Sequence, residues 1–481
     1  MTGDLMRQPF DARDTPDAWT RGKPITIVSA DSHACLPAPR YAEYLDRAYR
    51  DEFQLYLDDW QAHRAILDLF GYPVSSVELE VMDPRGVVES GGETGNFDPD
   101  RRLRETEAEG IVAEFLHPFA QMSFTPFFDT QNRQWGHELR AAGARAHARF
   151  LADFCAAAPG RLLGVAPVYP WPDWAAAQDE CRKAKDQGFK AIFPPQQAGV
   201  EGDLPWLYDP WWDPLWQICE ELDIAVHIHA GFGRPQGASE RLAQEVVDKL
   251  SHLIGTDGRL VRFDPDAVQG ESLLGKAFET FNERRPLWQL MWGGVFDRHP
   301  RLKVAFVEIH GDWVPGTLDY LDARYADGGT PLKMKPSEYF QRHCAIGASL
   351  MRYGEVESRH EIGIDKIMFG TDYPHHEGTW PNTREWIRTT LGKVPETDAR
   401  RILGENAIEF YGLDRDLLER TARRVGPFPT ELLGDYEIDE KLLRHFQFRA
   451  GIDKSVQLEV EQMVAAFGAD TNAAMAARAS E

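Results

Sequence analysis

The strongest constraint on the fold is an alternation. Eight short β-branched or apolar runs recur along the chain, each closed by turn chemistry, and helix-like segments lie between many of them. They read ITIVSADSH (residues 25–33), GIVAEFLHP (110–118), LLGVAPVYP (162–170), FKAIFPP (189–195), IAVHIHAG (224–231), KVAFVEIHG (303–311), HCAIGA (343–348) and KIMFGTD (366–372). Intervening stretches such as RQWGHELRAAGARAHARFLADFCAAAPGR place apolar residues at helical spacing. Parallel strands need long crossovers, which helices supply, so the pattern predicts an α/β protein with a parallel sheet. Eight repeats predict a closed (β/α)8 TIM barrel.

The expected organisation is a polar tail at residues 1–22, a barrel over 23–414 and a helical extension with a frayed end over 415–481. Two insertions interrupt the repeat. Residues 51–107 contain the glycine-rich ESGGETGNF and read as a loop over the barrel mouth; residues 232–285 follow the fifth strand and read as partly helical.

Charge and composition exclude several partners. Lys and Arg number 53 against 77 Asp and Glu, a net charge of −24, which argues against binding a phosphate backbone. No run approaches the roughly 18–20 apolar residues of a membrane span, and the polar, Pro-interrupted start has no signal-peptide core, so a cytoplasmic location is expected. The five cysteines are scattered without a CxxC pair, which argues against a disulfide framework or a cysteine zinc knuckle.

Catalytic groups of a TIM barrel collect at the C-terminal ends of its strands. Those ends are rich in metal-ligand chemistry here. Strand one closes on Asp31-Ser32-His33, strand five on His227-Ile228-His229, strand six on Glu308-Ile309-His310 and strand eight on Asp372. Spacing of i, i+2 puts Asp31 with His33, and His227 with His229, on common strand faces. Each motif has a plain structural reading as a turn or cap, but buried charges are expensive unless paired or metal-bound, so their convergence predicts a divalent-metal site.

The runs SADSHACLPAPRY, PGRLLGVAPV, GVFDRHPRLKVAFVEIHGDWVP, IMFGTDYPHHEGTWPN and ENAIEFYGLD resemble, in order, the amidohydrolase-related group that includes aminocarboxymuconate-semialdehyde and resorcylate decarboxylases. The resemblance covers about residues 25–414 and implies a TIM barrel with a divalent metal. It carries the ligand role to Asp31, His33, His229 and Asp372; Asp31 stands where many members have His or Glu. His227 becomes a deeper donor to a ligand. His310 lies one residue beyond the decarboxylase histidine position, which falls on Ile309. The sequence FPPQQ after strand four lacks the lysine of a carbamate bridge, leaving Glu114, His227, His310 and His376 as candidates for a second ion or for support of the first.

Asp372, His310 and His375 are the expected catalytic groups: a general base, and histidines that stabilise charge or deliver a proton. The first expectation is a hydrolase of a small amide, ester or acid using a metal-activated water. The alternatives are a non-oxidative decarboxylase of an aromatic or unsaturated carboxylic acid, a dinuclear iron or manganese oxygenase, and an inactive barrel within a hetero-oligomer. Zinc is the first expected cofactor, with manganese or iron behind it. The expected partners are a small-molecule substrate and a second copy of the chain, with neither nucleic acid nor membrane.

Overall fold

The computed structural model describes residues 22–69, 81–119, 125–128, 135–199, 204–233, 282–375 and 377–455, together with scattered positions between 464 and 472. Eight parallel strands form one sheet in the order β1 to β8: Ile27–His33, Ile111–His117, Leu162–Pro167, Ala191–Phe193, Ala225–His229, Val304–Val307, Cys344–Ser349 and Ile367–Gly370. Each overlaps one of the runs read from the sequence. All eight strands are buried along their length, as expected of parallel strands covered on both faces.

The end of β8 closes the barrel against the end of β1. Thr371 and Asp372 both donate backbone N–H bonds to the Asp31 carbonyl, at 3.2 and 3.0 Å, and His33 N–H donates to the Tyr373 carbonyl at 2.7 Å. Three candidate ligands therefore sit on one seam of hydrogen-bonded backbone. The pairing of β1 with β2 is irregular there: Ser29 lies opposite Glu114 and Ser32 opposite Leu116, so β1 carries an extra residue. A bulge of this kind re-aims side chains and is common beside active sites. Gly370 makes the seam possible, because a Cβ there would lie 2.7 Å from Ser349 Oγ and 2.9 Å from Asp31 Cβ.

The segment expected as a mouth loop is substantially helical. It contains helices at Arg50–Leu69 and Pro99–Glu109, the second capped by Asp98, whose side chain accepts from Arg101 N–H. Asp and Glu at its start and the amphipathic spacing of its helices account for the difference. Its glycine-rich part does reach the end of β1: Cys35 N–H donates to the Asn96 carbonyl at 3.1 Å. Of the other expected insertion, residues 234–281 lie outside the described residues.

Beyond the barrel, helices at Arg415–Val425 and Glu440–Ala450 fold back on it. Ile25 N–H donates to the Pro427 carbonyl at 2.8 Å, and the Phe446 ring packs 4.7 Å from that of Trp386. Among the described residues, no helix is long and apolar enough to cross a membrane.

Candidate metal centre

Asp31, His33, His229, Asp372 and His375 meet at the mouth, with His375 at 9% exposure and the others at 1% or less. Asp31 Oδ1 lies 3.3 Å from His229 Nε2 and 3.7 Å from His33 Nε2; His33 Nε2 lies 3.1 Å from Asp372 Oδ1, which lies 2.7 Å from His375 Nδ1. The His33 and His375 rings stack at 4.0 Å. Asp31 Oδ2 is fixed by the Ser349 hydroxyl at 2.5 Å.

Both ring nitrogens of His33, both carboxylate oxygens of Asp372 and Nδ1 of His375 are buried without a hydrogen-bond partner. Buried polar groups are almost always satisfied, because an unmade bond costs about 1–3 kcal/mol. These atoms lie close to one another but are not aligned as donor and acceptor. That is how ligands look when they are aimed at a common point between them. Three overlapping groups bring their ligand atoms within 4.8 Å of one another: Asp31, His33, His229 and Glu308; His33, Asp372 and His375; and Glu308, Asp372, His375 and Glu377. Imidazole nitrogens mixed with carboxylate oxygens suit zinc, manganese or iron(II).

Backbone geometry marks the same place. Glu308 and Asp372 both adopt left-handed φ, at 58° and 56°. Non-glycine residues held there carry strain that tends to persist at functional sites.

The electrostatics follow from burial and crowding. Burial alone would raise the Asp31 carboxyl, but His229, His117 and His33 hold it well below its usual range. Burial, reinforced by His375, pushes the His33 imidazole down. His229 moves up, since Asp31 outweighs the effect of burial. Burial and then Asp372 push Glu308 well up. Burial raises Asp372, whose charge draws His375 up against the burial of its ring.

Not every expected residue joins the cluster. Glu114 faces away from the mouth, and its carboxylate pairs with Arg102 through two 2.8 Å bonds. Strand alternation explains this: Ile111, Ala113, Phe115 and His117 share one face of β2, and Glu114 lies on the other. His310 stands apart with Glu355, its Nδ1 3.4 Å from the carboxylate, and belongs to none of the three groups. The sequence pattern Glu308-Ile309-His310 implies a shared face only if the strand continues. The strand ends at Val307, and the positive φ of both Glu308 and His310 breaks the alternation. His227 lies one layer deeper and bonds His117 rather than the mouth cluster. His376 lies outside the described residues.

Sequence reasoning passed over His117 and Glu377, and it noted Glu308 at the end of strand six without giving it a role. His117 Nδ1 lies 3.0 Å from Asp31 Oδ1, and its place as the last inward residue of a strand was a readable signal. Glu308 Oε2 lies 3.4 Å from His229 Nδ1, and Glu377 completes the third group. Phe119 was also unassigned; its ring lies 5.1 Å from that of His33 and 5.0 Å from that of His229, forming an aromatic wall.

A family profile described as Amidohydrolase matches residues 113–413. Among curated relatives, the gamma-resorcylate decarboxylase of Rhizobium sp. (strain MTP-10005) is 28% identical over 317 residues, covering 63% of this chain and 86% of the relative. The 2-amino-3-carboxymuconate-6-semialdehyde decarboxylase of Dictyostelium discoideum is 24% identical over 328 residues, covering 66% of this chain and 77% of the relative. Among solved structures, the 5-carboxyvanillate decarboxylase of Novosphingobium aromaticivorans, complexed with manganese and 4-hydroxy-3-methoxy-5-nitrobenzoic acid, aligns with a TM-score of 0.52 at 17% identity, covering 82% of this chain and 97% of that one. The expectation of a hydrolase is corrected by these matches. The named relatives break a carbon–carbon bond to a carboxylate, the reaction that the sequence had left as an alternative.

Proposed function

This chain belongs to the amidohydrolase family, and from that premise we propose that it is a divalent-metal-dependent, non-oxidative decarboxylase of a small aromatic or unsaturated carboxylic acid. The observation that carries the reading is the set of buried, unpartnered ligand atoms on His33, Asp372 and His375 beside Asp31 and His229. The named decarboxylase relatives support the choice of reaction.

Asp31, His33, His229 and Asp372 would hold the ion. When bound, a divalent ion supplies Lewis acidity and an anchor for substrate oxygens. The chain's own residues do the rest. Phe119, packed beside His33 and His229, offers an aromatic surface against which a planar acid can lie. In decarboxylation the bond to the carboxyl carbon breaks, its electron pair stays on the substrate carbon, and a proton replaces the lost carbon dioxide. His375, whose Nδ1 lies 2.7 Å from Asp372 Oδ1, is the acid beside the ligands that delivers that proton. The Ala230 carbonyl, 3.1 Å from His229 Nδ1, orients that ring, with Glu308 Oε2 3.4 Å from the same nitrogen.

Zinc and manganese both suit this donor set. The test is elemental analysis of the purified protein, followed by carbon dioxide release from 2,6-dihydroxybenzoate, 5-carboxyvanillate and 2-amino-3-carboxymuconate-6-semialdehyde with each ion loaded. Release from at least one acid, abolished by chelation, is expected. A fully metal-loaded protein that consumes none of them overturns the reaction assignment.

A further inference from the structure

Below the mouth, four buried side chains from four parts of the chain make a continuous line. Tyr411 OH lies 2.8 Å from His227 Nε2, His227 Nδ1 lies 2.9 Å from His117 Nε2, and His117 Nδ1 lies 3.0 Å from Asp31 Oδ1. All four residues are at most 4% exposed. The Phe115 ring packs against the first members, 4.1 Å from Tyr411 and 5.6 Å from His227. Tyr411 lies in the ENAIEFYGLD run, on the helix Asn406–Tyr411, and no step of the proposed reaction uses it.

The direction of every proton in this line can be read from its partners. His117 Nδ1 faces two acceptors, Asp31 Oδ1 and the Ser32 carbonyl at 3.2 Å, so it carries the hydrogen. In a neutral ring its Nε2 is then an acceptor, and the facing His227 Nδ1 must donate. His227 Nε2 is an acceptor in turn, which leaves the Tyr411 hydroxyl as its donor. Neutral rings are what full burial favours. Reversing the tautomer of His227 would reverse that of His117 and turn a bare lone pair toward the Asp31 carboxylate. The two acceptors at His117 Nδ1 disfavour this reversal, and Tyr411, whose hydroxyl can donate or accept, completes the preferred order by donating to the His227 Nε2 lone pair.

We infer that Tyr411, His227 and His117 form a one-directional hydrogen-bond relay that locks the tautomer of His117 and thereby positions Asp31 as a metal ligand. Tyr411 and His227 are positioning residues that act through His117. The inference rests on the metal centre proposed above and extends it to residues that touch neither ion nor substrate. Partners one step beyond a ligand typically change metal affinity by about 10–100-fold when removed.

The test is a double-mutant cycle read by zinc(II) affinity, measured against a competing chelator. Tyr411→Phe removes the terminal donor and keeps the ring. His117→Asn replaces the imidazole with an amide whose N–H faces Asp31 without any choice of tautomer. Tyr411→Phe is expected to weaken zinc binding about tenfold in the parent protein and less than twofold in the His117→Asn background. An equal loss in both backgrounds would mean that Tyr411 matters only for packing, and would overturn the relay. Nitrogen-15 spectra of the unsubstituted, zinc-free protein give a reading independent of any variant's folding. Both His117 and His227 are expected as neutral rings with hydrogen on Nδ1; the other tautomer on either ring overturns the inference. A parent protein that binds neither zinc nor manganese removes the metal centre, while the spectra still decide the relay.

Discussion

Two buried polar clusters share β1 and β2 and differ in how they are satisfied. On one face of β2, Arg102 makes two bonds to Glu114, a third to the His33 carbonyl, and lies 4.4 Å over the Tyr373 ring. The Tyr373 hydroxyl donates to Glu105. In this cluster the Arg102–Glu114 pair is bidentate and closed on itself. On the other face, at the mouth, His33, Asp372 and His375 are equally buried and leave five atoms without partners. Burial of charge is therefore no mark of a metal site here, and a single unsatisfied buried atom is none either, since several lie elsewhere; unsatisfied ligand-type atoms gathered at one point are. A closed network can only hold the structure together, whereas an open one is free to bind something else.

The sharpest way to break this comparison is to delete one member of each cluster. His33→Ala should abolish metal binding and lower decarboxylation by about 10³-fold or more, since a ligand is lost with its Lewis acid. The metal-free variant should be as stable as the metal-free parent or slightly more so, because an unsatisfied group has been removed. Metal bound at full stoichiometry in this variant would refute the site. Arg102→Met should do the opposite. It strands the Glu114 carboxylate and should cost about 3–5 kcal/mol in urea denaturation; a loss under about 1 kcal/mol would show that the pair is not the closed network described.

Loading the mouth cluster should stabilise the fold by mass action, by about 2.7 kcal/mol at an ion concentration 100 times the dissociation constant, and chelation should reverse it. The same gain should appear in any folded variant of the closed cluster and vanish in His33→Ala. A gain retained by His33→Ala would place the ion elsewhere.

The smallest effect concerns a carboxyl between the two extremes. Glu355 accepts from Arg352 N–H at 2.9 Å and lies 3.4 Å from His310, but its Oε1 has no partner. Burial pushes it up to about 7 from an ordinary 4.5. Because its folded value is the higher one, its contribution to stability is complete below about pH 4.5 and is lost as pH rises through 7. Glu355→Gln should remove that part of the slope and raise stability at pH 8 by on the order of 1–3 kcal/mol. An unchanged slope of stability against pH between 4.5 and 8 would show that Glu355 does not titrate as described.

Much of this was legible in the sequence. Alternating apolar runs and amphipathic segments fix a parallel barrel because burial patterns and crossover lengths are local properties. Polar residues where buried strands end, Asp31, His33, His227, His229, Glu308, His310 and Asp372, could be singled out for the same reason, and the family resemblance narrowed the expected ligands to Asp31, His33, His229 and Asp372. The long segment after Arg50 was less legible, since its glycines drew attention away from the amphipathic helices on either side.

Tertiary structure decided what depends on contact between distant segments. The bulge in β1, set by its pairing with β2, aims Asp31 at His117 and His229. The end of β6 at Val307 admits Glu308 to the mouth and sends His310 to Glu355, although both lie on one face of an ideal strand. The separation of Glu114 from His117, and the line from Tyr411 to Asp31, likewise arise between strands and helices far apart in the chain. Local sequence sets which groups are available; only packing determines which of their hydrogen bonds are made, and which ligand atoms left without one gather at a single point.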